Sequence, residues 1–261
     1  MPLYTVNAIV LKRINLGETD RIVTLLSREK GKIAGVAKGS RKAISRLSGA
    51  SEVFTCARYQ MATGRNLDVI TQVDIRESFP RIHADLFRIA YAAYLIEVID
   101  RFTDEDEHCP NLFDLLLSAL FLMERPNDPE IVARMFDLQL MREIGYEPVL
   151  DMCLRCSEPL GDGKTAFSPS MGGMVCRKCG YMPDDAISLT DESRGAMIQL
   201  LNADASELEQ MSVSRECLDQ IARVMRWYVR FRAERDLKSM EFLQTIRLGR
   251  CNEESGNSGN I

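Results

Sequence analysis

Four cysteines are the residues of this chain whose types and spacing most clearly allow chemistry. Cys153 and Cys156 form one Cys-x-x-Cys pair, Cys176 and Cys179 form a second, and nineteen residues separate the two pairs. Tetrahedral zinc needs four thiolates at one point, and each pair offers two sulfurs from one tight turn. The spacing therefore predicts one structural zinc ion per chain, held in a ribbon whose two short strands surround a Gly-rich turn at 166–175.

The ligand set also limits what such a metal could do. Four thiolates leave no coordination position for a water molecule, so the ion would hold structure rather than activate a nucleophile. Ordinary reduced thiols and a redox dithiol are the alternatives. A redox pair normally lies at a strand-to-helix junction, whereas Cys156 is followed by Ser157, Glu158 and Pro159.

Length and composition are those of a globular protein. With 261 residues, the chain can form one large or two small domains. The N-terminal residues lack the pattern of a signal peptide, and no apolar run is long enough to predict a membrane span. We therefore expect a cytoplasmic protein, in which the cysteines outside the two pairs are buried or incidental thiols. These are Cys56, Cys109, Cys217 and Cys251.

Charge is distributed unevenly along the chain, although the net charge is only -5. Residues 1–80 contain 13 Lys and Arg against 7 Asp and Glu, whereas residues 81–261 contain 20 against 31. Such asymmetry suggests that the first segment binds a polyanion and that the second has another role.

The first eighty residues have the pattern of short strands. Alternating apolar residues predict five of them, with Gly17, Gly31 and Gly64 between them, and the predicted strands are 5–12, 21–26, 32–37, 53–60 and 67–73. Five short strands without a long helix favour a closed barrel, because closure removes exposed sheet edges, and an OB-type barrel fits best.

A helical period replaces the strand pattern from His83 onward. The overall prediction is an α+β multidomain protein: a five-stranded OB-fold barrel at 1–80, then an α-helical domain at 81–248 with the four-cysteine zinc ribbon inserted at 150–182. Asp128, Thr190 and Ser214 are predicted to begin helices. The tail at 249–261 has the composition of a disordered segment.

A basic loop follows the third predicted strand and is the strongest candidate for binding DNA. Lys38, Arg41, Lys42 and Arg46 lie within nine positions, among small residues that let a phosphate backbone approach closely. A merely solvated charged loop is the alternative, but the basic bias of residues 1–80 favours binding. Four further cations of this segment extend the candidate surface: Lys12, Arg13, Arg21 and Arg65. Because the segment has few aromatic residues, we expect binding to depend more on backbone charge than on stacked bases.

A second row of cations lies on the last long predicted helix. Arg223, Arg226 and Arg230 recur at three- and four-residue spacing beside Trp227, on the side opposite an apolar face. This row could bind an acidic peptide of a partner, and an ordinary solvated basic face is the alternative.

No catalytic motif is present: the chain lacks a nucleophile elbow, a phosphate-binding Gly-rich loop and a His-Glu-x-x-His sequence. A binding protein is therefore favoured over an enzyme. The alternatives are a thiol oxidoreductase and a zinc-ribbon nuclease. A nuclease would need a carboxylate cluster for magnesium, and the one dense acidic run, at 104–107, is expected in a loop between helices.

Three N-terminal motifs in order, followed by helices and the cysteine pairs, give this chain a family resemblance. Gly-Glu-Thr-Asp-Arg-Ile-Val at 17–23, Glu-Lys-Gly-Lys at 29–32 and Val-Ala-Lys-Gly-Ser-Arg at 36–41 together resemble the bacterial RecO family of recombination mediators. The resemblance covers essentially residues 1–248.

The resemblance implies more than the residues do. RecO proteins are expected to bind single- and double-stranded DNA, to anneal complementary strands and, with RecR, to load recombinase onto DNA coated by single-strand-binding protein. Carried over by position, Lys38, Arg41 and Lys42 would contact DNA and the four cysteines would hold zinc. We hypothesise that the arginine row on the last helix receives the acidic tail of single-strand-binding protein, and we expect the protein to be nucleoid-associated.

Overall fold

The structure, a computed structural model, describes residues 2–42, 44–105, 107–160, 165–180, 182–243 and 245–246. The chain divides into two compact units, Met1–Arg125 and Pro126–Ile261. The predicted tail at 249–261 and Cys251 lie outside the described residues. Among the helices of the described part, none is long and apolar enough to cross a membrane.

The first unit begins with a closed five-stranded barrel, as the strand pattern predicts. Its strands are β1 (Leu3–Leu16), β2 (Asp20–Ser27), β3 (Gly31–Ala37), β4 (Cys56–Ala62) and β5 (Asp68–Glu77). They pair in the order β1-β2-β3-β5-β4, and β4 returns to β1 to close the ring. The β3–β5 pair is parallel and the others are antiparallel, which is an OB-type arrangement.

Alternation along the strands fills the barrel. Every second side chain points inward, and the core includes Val10, Val23, Leu25 and Tyr59. The helix α1 (Arg46–Ala50) packs against this core, and the Tyr59 hydroxyl donates to the Ala50 carbonyl at 2.7 Å. The buried phenol is thereby satisfied, as a buried polar group must be.

The fourth strand begins later than its sequence pattern predicts. Phe54 has a positive φ of 76°, which is incompatible with a strand, and β4 starts at Cys56. The alternation at 53–60 therefore includes a turn. Phe54 is still buried, because its backbone N–H donates to the Val10 carbonyl at 3.0 Å and holds the turn against β1.

Three helices complete the first unit: α2 (Pro80–Ala84), α3 (Leu86–Phe102) and α4 (Pro110–Glu124). The helix α3 packs against β1, α4 packs against β1 and β2, and α2 packs against α3 and α4. Arg28 donates two hydrogen bonds of 2.9 Å to the Asp114 carboxylate, and Lys32 reaches Asp100 at 3.2 Å. The compact unit therefore extends to Arg125, whereas the change from strand to helical periodicity predicts a domain boundary at residue 80. Whether 1–80 folds independently stays a prediction.

The second unit contains α5 (Pro129–Glu143), α6 (Asp191–Asn202), α7 (Ala205–Gln210) and α8 (Arg215–Ala233). Three helices begin at the residues that their sequences predict, because the side chains of Asp128, Thr190 and Ser214 accept backbone N–H groups of the first turn. The short helix α7 was not predicted. Asp204 and Glu207 form a capping box there, a local signal that the sequence carries.

The ribbon lies between α5 and α6 as a small three-stranded sheet. Its strands are β6 (Thr165–Ser168), β7 (Gly173–Cys176) and β8 (Ile187–Leu189), in the order β7-β6-β8. The Gly172 backbone takes a φ of 79° at the hairpin turn. Phe167 of β6 packs edge-on against Tyr228 of α8, with ring centroids 5.2 Å apart, so the sheet rests on the helices of the second unit.

Candidate functional site

The four predicted metal ligands come together. Cys153 and Cys156 lie in a turn before the ribbon sheet, Cys176 ends β7, and Cys179 ends the 3-10 turn that follows. Their sulfur atoms all lie within 4.8 Å of one another. Among the described residues, this is the one group of three or more His, Cys, Asp or Glu residues that could hold a metal ion.

The spacing of the sulfurs fits a tetrahedral ion. The Sγ atoms of Cys153 and Cys179 are 3.8 Å apart, as are those of Cys156 and Cys176, and Cys176 and Cys179 are separated by 3.5 Å. Thiolates bonded at 2.3 Å to a tetrahedral centre stand about 3.8 Å from one another. The donor set and its geometry therefore suit a closed four-thiolate metal site.

Backbone groups prepare this site for thiolates. Burial alone would raise the pKa of the Cys153 thiol, but backbone N–H groups of Cys156, Arg155 and Cys176 lower it to about 6. The N–H of Cys176 donates to the Cys153 sulfur at 3.3 Å. The pKa of Cys179 shifts in the other direction. Hydrogen bonds of its thiol with the sulfurs of Cys176 and Cys156 raise this pKa to about 12. A bound cation would remove this competition for protons among the four sulfurs.

The other described cysteines offer no second reactive site. Burial raises the pKa of Cys56 to about 11, and burial likewise raises the pKa of Cys109. Cys217 is buried in α8. A high pKa keeps a thiol protonated and therefore unreactive as a nucleophile. These three positions match the prediction of buried or incidental thiols.

The basic loop at 38–45 joins β3 to α1 at one end of the barrel. Lys38, Arg41, Lys42 and Arg46 are all exposed. The loop is held against the β1–β2 turn at 17–20, because Arg41 donates through its backbone N–H to the Thr19 carbonyl at 2.9 Å and through Nη1 to the Gly17 carbonyl at 2.7 Å. Arg41 is thus both a surface cation and an anchor of its own loop.

Asp20 fixes the start of the same loop. Its Oδ1 accepts the backbone N–H of Gly39 at 2.8 Å, and the Thr19 hydroxyl donates to it at 2.8 Å. The Gly39 bond, followed by the Thr19 bond, lowers the pKa of this carboxyl below its ordinary value of 3.8. The stabilisation is therefore present at neutral pH and is lost only as the pH falls through the lowered value.

Three further candidate cations differ in their surroundings. Lys12 is exposed on the outer face of β1. Arg13 forms an ion pair with Glu52, and Arg21 Nη1 donates to the same carboxylate at 3.1 Å and to the Ser51 hydroxyl at 2.8 Å. Glu52 therefore forms ion pairs with two of the predicted DNA-binding residues. The sequence did not indicate this shared contact.

Two members of the predicted arginine row of α8, Arg223 and Arg230, lie opposite the buried face, whereas the third, Arg226, is half-buried. Leu218, Ile221, Met225 and Tyr228 are buried. Arg223 and Arg230 are exposed, and Arg230 stacks 5.2 Å from the centre of the Trp227 ring while its Nε pairs with Asp236 at 2.7 Å.

A groove of about 1020 Å³ adjoins the row within the second unit. It is lined by Trp227, Arg230 and Phe231 of α8 and by the segment 183–187. The Trp227 and Phe231 side chains are 47% and 48% exposed, which is high for aromatic residues. The sequence indicated the row but not the groove, because residues from the ribbon side complete it.

The acidic run at 104–107 occupies the loop between α3 and α4, as expected, and Asp106 lies outside the described residues. The backbone of Glu105 forms an isolated parallel β-bridge with that of Lys32, and the Glu107 carbonyl lies so close to Gly31 that a Cβ there would clash with it. The described part of the run therefore serves as a contact to the barrel within the first unit.

These features define a protein with an OB-type barrel at its N terminus and a four-cysteine ribbon set among the helices that follow. A family model described as "Recombination protein O N terminal" matches residues 1–79, and one described as "Recombination protein O C terminal" matches residues 83–241. The chain belongs to the RecO family.

Several named proteins are similar in sequence to nearly the whole of this chain. The protein named "DNA repair protein RecO" of Symbiobacterium thermophilum is 38% identical over 253 residues, covering 96% of this chain and 100% of that protein. The protein of the same name from Pelotomaculum thermopropionicum is 38% identical over 256 residues and covers 98% of each chain. The protein of the same name from Desulfitobacterium hafniense is 36% identical over 242 residues, which cover 92% of this chain and 88% of that protein.

Proposed function

We propose that this protein is a recombination mediator in DNA repair that binds single- and double-stranded DNA, anneals complementary strands and, with RecR, helps load recombinase onto DNA coated by single-strand-binding protein. Membership of the RecO family supports the role in repair. The observation that carries the binding activity is the exposed basic loop at 38–45, which is held in a defined position on an OB-type barrel.

The loop would act on the phosphate backbone. Lys38 and Lys42 offer exposed ammonium groups, and Arg41 offers the guanidinium nitrogens that are not bonded to the Gly17 carbonyl. Arg46 and Lys12 extend the surface. Each cation that contacts a phosphate releases counterions, which gives affinity that does not depend on sequence. Neutralising two strands lowers their mutual repulsion, so annealing needs no nucleotide cofactor. Arg13 and Arg21 would contribute less while Glu52 is bound to them.

Two charge-neutralising substitutions test the loop. We expect Lys38→Gln with Lys42→Gln to weaken duplex binding and to lower the slope of log K against log salt by about 1.8, since each lost phosphate contact removes about 0.9. Arg58→Gln is the matched control, because Arg58 is an exposed cation elsewhere on the barrel, opposite Asn7. An unchanged slope in the double variant would remove the loop from the binding surface.

We further propose that the metal is zinc, bound once per chain by Cys153, Cys156, Cys176 and Cys179. The tetrahedral sulfur spacing supports this choice, since four thiolates are the usual ligands of structural zinc. When bound, the ion holds the turn before β6 to the end of β7, and it supplies no catalysis. Elemental analysis of freshly purified protein should give one zinc per chain. Protein that is folded and free of zinc and of other metals would contradict the assignment.

The arginine row of α8 is proposed to bind the acidic tail of single-strand-binding protein. Arg223, Arg226 and Arg230 would attract the acids, and the adjoining groove between Trp227 and Phe231 could hold an apolar side chain of the same peptide. A labelled tail peptide should bind the protein and lose most of its affinity with Arg223→Glu. Lys178→Glu, at an exposed cation of the ribbon turn, is the control and should leave peptide affinity unchanged.

We also propose that the protein is not an enzyme, that it is cytoplasmic and that it associates with the nucleoid. The competing reading is a zinc-ribbon nuclease or a thiol oxidoreductase, and one experiment separates mediator from nuclease. Purified protein is mixed with labelled complementary oligonucleotides in magnesium buffer, with and without single-strand-binding protein. Faster annealing with intact strands is expected, whereas cleavage without annealing would favour the nuclease.

A further inference from the structure

One side of the groove beside α8 is packed against the four cysteines of the second unit. We call these residues the cysteine cluster: Cys153, Cys156, Cys176 and Cys179. Met182 and Ala186 pack against the small buried core that contains Cys153. Ala186 also lines the groove, with the other residues of the segment 183–187. Because Cys179 lies only four positions before this segment, the order of the cluster decides where this wall of the groove stands.

Hydrogen bonds tie the same wall to the ribbon sheet. The Asp185 carboxylate accepts the Ser168 hydroxyl at 2.8 Å and the backbone N–H of Ser170 at 2.7 Å. Ser168 ends β6, and Ser170 also lines the groove. Across the groove, Trp227 and Phe231 belong to α8, whose opposite face is buried. Loss of order in the ribbon would therefore remove one wall of the groove and leave the other in place.

Oxidants in solution can reach the cysteine cluster at Cys156. This residue is exposed, whereas Cys153 is buried and the other two cysteines are half-buried. Exposed cations occupy three of the four positions inside the Cys-x-x-Cys pairs: Arg155, Arg177 and Lys178. Positive charge next to a cysteine favours the thiolate, which is the form that reacts with oxidants. The cluster thus has an accessible sulfur in surroundings that suit oxidation.

Each Cys-x-x-Cys pair can close on itself. All four sulfurs lie within 4.8 Å of one another, and those of Cys176 and Cys179, which belong to one pair, are 3.5 Å apart. A disulfide bond is about 2.0 Å long, so a small side-chain movement forms it. Disulfides inside the two pairs close each turn separately. No bond through sulfur then joins the first turn to the second, as a shared metal ion would.

Resting on the zinc site and the peptide groove proposed above, we infer that the cysteine cluster is a thiol switch for the groove. A peroxide oxidises each pair to a disulfide, and the ribbon loses both its metal and the link between its two turns. Because the core of the ribbon is small, the wall at 183–187 then loses its order and the acidic tail is released. DNA binding by the first unit does not change, so the switch separates the two binding functions.

The oxidation balances with two molecules of hydrogen peroxide for the four thiolates. The Cys156 thiolate attacks one peroxide oxygen, the O–O bond breaks and hydroxide departs, which gives a sulfenic acid. The Cys153 thiolate then attacks that sulfur and displaces a second hydroxide, which forms the disulfide. Cys176 and Cys179 consume the second peroxide in the same way. Four electrons thus pass from the thiolates to the two peroxides, and four hydroxide ions are formed.

Trp227 allows the switch to be observed directly, because it is the one tryptophan of the chain and lines the groove. Zinc-loaded protein is treated with hydrogen peroxide while released zinc is measured with a chromogenic chelator and Trp227 emission is recorded. We expect the release of zinc and the change of emission to follow the same time course. A thiol reductant with added zinc should restore both, whereas oxidised methionines would not be repaired by the reductant.

Binding is measured before and after oxidation. Affinity for the labelled tail peptide should fall by about tenfold or more, as expected when an anchoring side chain loses its pocket. Duplex affinity should stay within about twofold, since the proposed phosphate contacts are in the first unit. Disulfide mapping by mass spectrometry should find both bonds inside the Cys-x-x-Cys pairs.

Two variants complete the test. Cys176→Ser lacks one of the four thiolates, so it should show the emission and the weak peptide binding of oxidised protein before peroxide is added. Removal of zinc from reduced wild type by a chelator should give the same state without a substitution. The control is Cys109→Ser with Cys251→Ser, which removes one half-buried thiol and one that lies outside the described residues. This control keeps the cluster and should respond as wild type does.

Contrary results are distinguishable. Zinc that stays bound in peroxide, or zinc release without a change in Trp227 emission, would overturn the inference. Disulfides that join the two pairs while the peptide stays bound would also refute the switch. Equal loss of peptide and duplex affinity would indicate general oxidative unfolding, and the inference would fall. If reduced protein binds no tail peptide but zinc release still changes Trp227 emission, the peptide assignment falls and the switch of the groove stands.

Discussion

At the scale of single residues, the surface charge of the barrel depends on which cations are already neutralised. Arg13 and Arg21 both contact the carboxylate of Glu52, whereas Lys38 and Lys42 extend into solvent. Exposed ion pairs contribute about 0–1 kcal/mol to stability. The partly exposed Arg13–Glu52 pair can therefore be exchanged for a phosphate at little cost, whereas the Arg21 side chain is only 16% exposed, so we expect the acid to compete with DNA chiefly for Arg13.

Removing that acid should strengthen DNA binding. We predict that Glu52→Gln frees Arg13 and Arg21 for phosphate, raises duplex affinity severalfold and steepens the salt slope by about 0.9 for each new contact. Titration of labelled duplex at several salt concentrations measures both quantities. Glu77→Gln, which removes an exposed acid at the far end of β5, is the control. A slope unchanged from wild type would mean that the two arginines do not face the DNA.

At the scale of secondary-structure elements, the ribbon contrasts with the barrel in how it is stabilised. The barrel has a core of a dozen buried residues, whereas the buried cluster around the cysteines consists of Cys153, Ala166 and Val175, and Phe167 of the same sheet packs instead against α8. So small a sheet cannot bury enough apolar surface to offset the entropy of ordering it. Binding of the proposed metal, on the order of 10 kcal/mol in small zinc domains, would supply the difference.

Loss of one ligand should therefore unfold the ribbon and leave the barrel folded. We predict that Cys176→Ser abolishes stoichiometric zinc and that backbone amides of β6 and β7 lose protection in hydrogen exchange. Amides of β1 and β2, and duplex affinity, should stay within about twofold of wild type, since the proposed contacts are in the first unit. Cys217→Ser, a buried thiol outside the cluster, controls for loss of a cysteine. Protected β6 and β7 amides in Cys176→Ser would show that the ribbon does not need the metal.

At the scale of the whole molecule, the proposed DNA-binding cations and the cysteine cluster lie in different compact units. The cations proposed to contact DNA lie in Met1–Arg125, while the cysteine site and the arginine row of α8 lie in Pro126–Ile261. Each unit has its own buried core. The part proposed to bind DNA and the part proposed to bind a metal thus belong to different compact units.

Two cores predict two unfolding transitions. In calorimetry we expect the full chain to unfold in two steps, and a chelator such as EDTA should lower only the transition of the second unit, because its native state alone binds the metal. Hydrogen exchange near each transition identifies the unit that unfolds. A single transition that shifts as a whole with chelator would show that the two units unfold as one.

Much of this architecture could be predicted from local sequence. The cysteine pairs are found by spacing, because each pair needs only one turn of chain, and the strands of the barrel follow from alternation. Helix starts at Asp128, Thr190 and Ser214 were predicted because a cap is formed within three residues of its helix. The predicted start of β4 at residue 53 was wrong, because the alternating pattern of apolar residues continues through the turn at Phe54.

The sequence by itself determined the four-cysteine cluster, the barrel, the basic loop and the family, since each depends on residues close together in the chain or on an ordered set of motifs. Only the tertiary structure decided that Glu52 neutralises Arg13 and Arg21, thirty or more positions away, and that Ile14, Ile22, Val36 and Val69 lie opposite one another on neighbouring strands. The reason is register: a shift of one residue turns a side chain to the other face, and strand pairing between distant segments alone sets that choice.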